Sequence, residues 1–162
     1  MKYSSMCGIF ALLYADQYEL KNDKLKIEKY FEYSRKRGPE YSNITNIKED
    51  ILFGFHRLCI NGLDNISNQP IYSKNTIMIC NGEIYNYKKL KNDFNLNTTT
   101  NSDCEIISLL YEKVGMDCVN LLDGVFAFVL FNVNGDIIVA RDPYGVRPLY
   151  LCKYENGNIG FS

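Results

Sequence analysis

Four short stretches of this chain gather residues able to do chemistry: Cys7-Gly8, His56-Arg57, Asn81-Gly82-Glu83 and Asp103 within "SDCE". Cys7 brings a thiol, a strong nucleophile once deprotonated. Arg57 brings a planar five-donor fork that matches a carboxylate. Asn81 adds a side-chain amide, Gly82 permits close approach to the backbone, and Glu83 and Asp103 are acceptors suited to a cation. Cys7 with His56, the lone histidine, would make a Cys–His thiol hydrolase. Each stretch also has a plainer use. Cys7 heads an apolar run and would serve as a small core residue. Asn81-Gly82 suits a turn, Arg57 suits a strand end along which its stem can lie, and Asp103 suits the first turn of a helix. As a nucleophile, Cys7 would gain most by being the first residue of the chain, and "MKYSSM" stands before it.

The 162 residues, 46% of them hydrophobic, suit one globular domain with a core of its own. A net charge of -1 gives no electrostatic case for nucleic acid or an anionic membrane, and no apolar run approaches the ~20 residues a spanning helix needs. Arg35-Lys36-Arg37 and Lys88-Lys89 read as solvated helix faces and ends. Leu13 stands where a signal peptidase would need a small residue for cleavage after Ala15, so we expect no secretion signal and a cytoplasmic protein. The six cysteines form no C-x-x-C pair and one histidine cannot complete a Cys/His zinc set, so no metal is expected. Five of the six read as ordinary reduced thiols, most of them small buried hydrophobes.

The elements that must position these residues follow from pattern. "CGIFALLY" predicts a buried strand. "DKLKIEKYFEYSRKRG" predicts a helix with Ile27, Phe31 and Ser34 on one face, stopped by Gly38-Pro39. "LFGFHRLCI" and "TIMICNGEIYN" predict strands separated by a break at "SNQP". "NYKKLKNDF" and "SDCEIISLLYEKVG" predict helices, the second with a Ser102–Glu105 capping box and an apolar face of Ile106, Ile107, Leu110 and Val114. Hairpins turn at Asn134-Gly135 and Asn156-Gly157. Strands at both ends with helices between them predict an α+β layered domain.

In order, "MCGIFALL", "RGPEYS", "FGFHRL", "NQPIY", "CNGEIYNYKKL", "DGVFAFVLFN" and "ARDPYGVRPLY" resemble the glutaminase domain of the class II glutamine amidotransferases, which are N-terminal nucleophile hydrolases. The likeness runs from Cys7 to Tyr150. "FGFHRL", "NGEIYN" and "YGVRPLY" lean toward the glutamine-hydrolysing asparagine synthetases. The resemblance implies a four-layer αββα sandwich, two antiparallel sheets between helical layers. It implies Cys7 as nucleophile, the cysteine's own free α-amine as base, and Asn81 with Gly82 as the oxyanion hole. It implies that Arg57 binds the glutamine carboxylate and that Asp103 and Glu83 serve its ammonium end. His56, on the opposite strand face from Arg57, is then structural.

The resemblance also implies glutamine as substrate and a synthetase domain, in cis or in trans, that uses aspartate and ATP. ATP and magnesium belong to that absent half, and no cofactor is expected in this domain. No G-x-x-x-x-G-K-[ST] or S-G-G-x-D-like loop occurs, so ATP activation of aspartate is not expected on these residues. A homodimer stays open, as do another class II acceptor and a silent scaffold that keeps its leader. Residues 1–6 are expected to be a leader or propeptide, bypassed by a start at Met6 or cleaved before Cys7, with the domain at 7–162. The loop "CINGLDN" after Leu58 departs from the family pattern.

Overall fold

The computed structural model describes residues 6–14, 16, 23–59 and 64–162. Most of the leader and residues 60–63 of the "CINGLDN" loop therefore lie outside the described residues. In chain order the elements are β1 (Gly8–Leu13), α1 (Lys24–Tyr33), β2 (Tyr41–Lys48), β3 (Ile51–Arg57), β4 (Ile71–Tyr72), β5 (Thr76–Ile84), α2 (Tyr87–Asp93), α3 (Glu105–Val114), α4 (Cys118–Leu121), β6 (Gly124–Asn132), β7 (Ile137–Arg141), β8 (Leu151–Lys153) and β9 (Ile159–Phe161). They form two compact units, residues 1–58 with 149–162, and residues 59–148. Each has one antiparallel sheet, β2-β3-β1-β9-β8 in the first and β4-β5-β6-β7 in the second. The expected α+β class with two antiparallel sheets and helices is what the chain adopts.

In the first unit, β1 pairs with β3 along its whole length, Gly8 facing His56 and Leu13 facing Ile51. Helix α1 packs on this sheet through Ile27, which meets Leu12 and Leu52, and through Phe31. The Phe31 ring lies where a Cβ on Gly54 would sit, only 2.6 Å from it, and stacks on His56 at 3.8 Å. The helix expected to run to Gly38 ends sooner. Ser34 turns its hydroxyl back onto the Phe31 carbonyl at 2.9 Å, and Arg35–Arg37 continue as one 3-10 turn. Strand β2 gave no sequence signal, because "YSNITNIK" is a half-exposed edge strand without an apolar run.

In the second unit, Met78, Cys80 and Ile84 of β5 and Phe126, Phe128 and Leu130 of β6 bury against Ile106, Ile107 and Leu110 of α3. The turn at Asn134-Gly135 joins β6 to β7 with Gly135 at φ 103°, as the hairpin signal predicts. The capping box is a correction. Glu105 does not reach back to Ser102; its carboxylate accepts from the backbone N–H and hydroxyl of both Thr99 and Thr100, at 2.6–2.8 Å. Two threonines offer four donors where the box would offer one, so the acid tethers the loop before the helix.

After β7, one carboxylate organises the loop. Asp142 accepts backbone N–H groups from Phe126 (3.3 Å), Tyr144 (3.1 Å), Val146 (2.9 Å) and Arg147 (3.0 Å). Burial opposes its charge, yet these donors win and hold its carboxyl below the usual carboxylate range. No disulfide joins the six cysteines: Cys80, Cys104 and Cys118 are buried, Cys7 and Cys59 half-buried, and Cys152 exposed on β8. Among the described residues no helix is long and apolar enough to cross a membrane.

Candidate active site

The first unit holds Cys7 and Arg57. Extending the Gly8–His56 pair by one residue sets Cys7 at the head of β1 across from Arg57 at the end of β3. The thiol lies against the backbone of Leu58, whose N–H donates to Sγ at 3.3 Å and whose carbonyl is 3.4 Å from Sγ. Arg57 is buried, 5% exposed, and its carbonyl accepts the Glu40 N–H at 3.2 Å. Arg37 is a correction. It is not a solvated helix end but donates through Nε to the Cys7 carbonyl at 3.4 Å. Its signal was its place in "RGPEYS", not its charge.

His56 is structural. The ring is fully buried, with Nε2 2.9 Å from the Phe31 carbonyl and Nδ1 2.7 Å from the Ser42 hydroxyl. A carbonyl only accepts, so Nε2 carries the proton and Nδ1 accepts from Ser42. Both ring nitrogens are thus committed, which disfavours a Cys7–His56 pair. Burial pushes the imidazole pKa down against the opposing pull of the Phe31 carbonyl and of Glu32, and Arg35 lowers it further. Below the ordinary histidine pKa of ~6.5, the unfolded chain therefore takes up a proton that the folded chain refuses. Stability is full above that pH and declines as pH falls through the folded value. With one histidine in the chain, we expect the urea midpoint to drop between pH 7 and 5.5. In His56→Gln that slope should flatten at lower overall stability, while glutamine turnover survives. An unchanged slope in the variant overturns this assignment.

The second unit holds Asn81, Gly82, Glu83 and Asp103. Strand alternation puts Asn81 and Glu83 on one face of β5, and Cys80 and Gly82 on the face that packs against α3. Asn81 is 4% exposed. Glu83 meets Arg147 at 3.5 Å. Asp103, 4% exposed, accepts the Ile84 N–H at 2.6 Å, so it braces the end of the strand. Gly82 is required first by packing: a Cβ there would stand 2.4 Å from the Val125 carbonyl oxygen on β6.

The β5 edge away from β6 has a partner strand over only part of its length. Strand β4 pairs with β5 only at Ile77 and Met78. Beyond them, the Cys80 N–H and carbonyl both bond to the Gln69 side chain, at 2.6 and 2.9 Å. The Ile84 N–H goes to Asp103 on the same side, and the Gly82 carbonyl faces the Cys104 thiol at 3.5 Å. Backbone groups of residues two apart share a side, so the Gly82 N–H points out of this edge, where no described strand continues the ladder. A backbone donor and the Asn81 amide thus come from adjacent residues. Among the described residues no cluster of three or more His, Cys, Asp or Glu side chains suits a metal.

A model of the glutamine amidotransferase domain matches residues 6–162. The chain belongs to this family. The amidotransferase domain is 39% identical to a probable asparagine synthetase [glutamine-hydrolyzing] of Dictyostelium discoideum, over 97% of this chain and 29% of that protein. It is 40% identical to the asparagine synthetase [glutamine-hydrolyzing] of Bos taurus over 94% of this chain and 27% of the relative, and 38% identical to asparagine synthetase [glutamine-hydrolyzing] 3 of Arabidopsis thaliana. It therefore spans under a third of these relatives' length. Among solved structures, a glutamine phosphoribosylpyrophosphate amidotransferase of B. subtilis shares the fold at a TM-score of 0.61 and 18% identity, over 94% of this chain and 35% of that one.

Proposed function

We propose that the domain hydrolyses glutamine to glutamate and ammonia through a thioester on Cys7. Sγ attacks the side-chain amide carbon, and the oxyanion that forms is received by the Asn81 amide and the Gly82 N–H. Collapse of the adduct breaks the C–N bond, and the leaving nitrogen takes a proton and departs as ammonia. Water then cleaves the thioester to free glutamate. Arg57 binds the α-carboxylate, and Asp103 with Glu83 serves the α-ammonium. The base is the α-amine of Cys7 when that residue is first in the chain, since an amide nitrogen has no available lone pair. The step needs neither ATP nor metal.

The observation that carries this reading is Cys7 at the head of β1, one residue past the Gly8–His56 pair and so across from Arg57, in a chain matched almost end to end by the family. The relatives' names, asparagine synthetase [glutamine-hydrolyzing], support asparagine formation as the larger context, for which we propose aspartate as the final acceptor, with ATP and magnesium used by a synthetase domain. Six cysteines outside any disulfide support a reducing, cytoplasmic setting.

The test is a chain that begins at Cys7, given glutamine in the presence of a chelator and without ATP. Ammonia and glutamate should appear in equal amounts, and a glutamine-like electrophile should label one thiol per chain, at Cys7. Labelling at Cys59, or turnover that persists in Cys7→Ala, overturns the assignment.

A further inference from the structure

We infer that Gln69 is a positioning residue whose side-chain amide replaces a missing strand residue and so sets the oxyanion donors of Asn81 and Gly82. This rests on the glutaminase reading above. Continuing the Ile71–Met78 register by two residues would set Gln69 opposite Cys80, with Pro70 opposite Ile79. The main chain does not continue that ladder: β4 ends at Ile71, and Pro70 has no N–H to donate.

Gln69 supplies with its side chain what the backbone there does not. Its Nε2 donates to the Cys80 carbonyl at 2.9 Å and its Oε1 accepts the Cys80 N–H at 2.6 Å. This is the donor–acceptor pair a neighbouring strand residue would present. Gln69 is 6% exposed and Cys80 1%, so neither bond competes with bulk water.

The consequence lies one and two residues on. The Cys80 carbonyl belongs to the peptide whose nitrogen is Asn81, and the Gly82 N–H emerges from the same strand edge. A continued β4 would have covered that N–H. An unheld edge would have let β5 twist away from it. Gln69 closes the ladder at Cys80, Asp103 holds it again at Ile84, and the donor between them stays uncovered yet aimed. Oxyanion donors lose their effect when misplaced by about 1 Å, so a clamp one residue away acts on turnover rather than on affinity.

The experiment compares wild type, Gln69→Met and Gln69→Glu, each chain beginning at Cys7, with folding checked by circular dichroism and active sites counted by electrophile labelling. Gln69→Met keeps the length and loses both bonds. We expect its kcat per labelled site to fall about 10- to 100-fold with KM within about threefold of wild type. A glutamine-derived γ-aldehyde adds reversibly to the Cys7 thiol and puts its oxygen in the hole, so it should bind about 10- to 100-fold more weakly to the variant. Glutamate should bind as before. Gln69→Glu mimics the amide only when protonated, because its carboxylate has no donor for the Cys80 carbonyl. Its activity relative to wild type should therefore decline as pH rises.

Wild-type kcat in Gln69→Met, or equal weakening of aldehyde and glutamate, overturns the inference. Should Gln69→Met fail to fold, a pH-independent activity ratio for Gln69→Glu overturns it instead. A wild-type chain that labels at Cys7 but releases no ammonia sinks the glutaminase reading and this inference with it.

Discussion

A chain that begins at Cys7 should hydrolyse glutamine about 10²- to 10⁴-fold faster than the same chain begun at Met1, the range expected when a general base is lost. The reason is local. With Met6 still attached, the nitrogen of Cys7 is a peptide amide whose lone pair is delocalised, whereas a free α-amine titrates near ~8 and is partly neutral at physiological pH. The described hydrogen-bond partners of Cys7, the Leu58 backbone and the Arg37 guanidinium, are not bases. Sγ rests against the Leu58 backbone, the carbonyl of Cys7 takes the Arg37 Nε–H, and the His56 nitrogens are committed to Phe31 and Ser42. Ammonia release by the two chains, with each N-terminus verified by mass, decides the matter. Equal rates with the leader intact would remove the α-amine from the mechanism.

Asn81→Ala and Arg57→Ala should fail in different ways. In the proposed mechanism Asn81 lends a donor that matters most once charge develops on the substrate oxygen, so its loss should cut kcat about 10²- to 10³-fold and leave KM nearly unchanged. In the same proposal Arg57 meets a carboxylate whose charge is the same in ground and transition states. Its loss should raise KM, by about 30-fold or more given its burial. Arg57→Lys restores the charge without the two-pronged geometry and should recover only part of that loss. Steady-state kinetics on folded variants separates the two, and matching losses would dissolve the distinction between binding and oxyanion roles.

The residues proposed for chemistry were legible because they sit at the edges of strong local patterns. Cys7 heads an apolar strand, Asn81 to Glu83 end another, and Asp103 precedes an amphipathic helix. Both hairpins were legible from Asn-Gly alone, since each three-residue loop closes on a glycine at positive φ, where other residues are disfavoured. What stayed hidden depends on partners distant in sequence. Nothing in "SNQP" says that the Gln69 amide finishes a strand eleven residues away. Glu105 looked like half of a capping box because the spacing fits, and only the folded loop shows two threonines nearer to hand. Arg37 reads as surface charge because its neighbours are basic, although one hydrogen bond ties it to the Cys7 carbonyl. Strand β2 was missed for want of an apolar face.

Asp142 gives the second unit a cooperative opening event. Three of the amides it collects belong to the loop at 144–147, and the fourth belongs to Phe126, whose strand position faces Gly82. Those four amide protons therefore share one gatekeeper. Protonating or removing the carboxylate releases all of them at once, and with them both the loop that carries Arg147 and the β6 bond opposite Gly82. The ladder amides of β6 and β7 have their own partners, so the four amides on Asp142 should gain or lose protection against solvent deuterium together and apart from them.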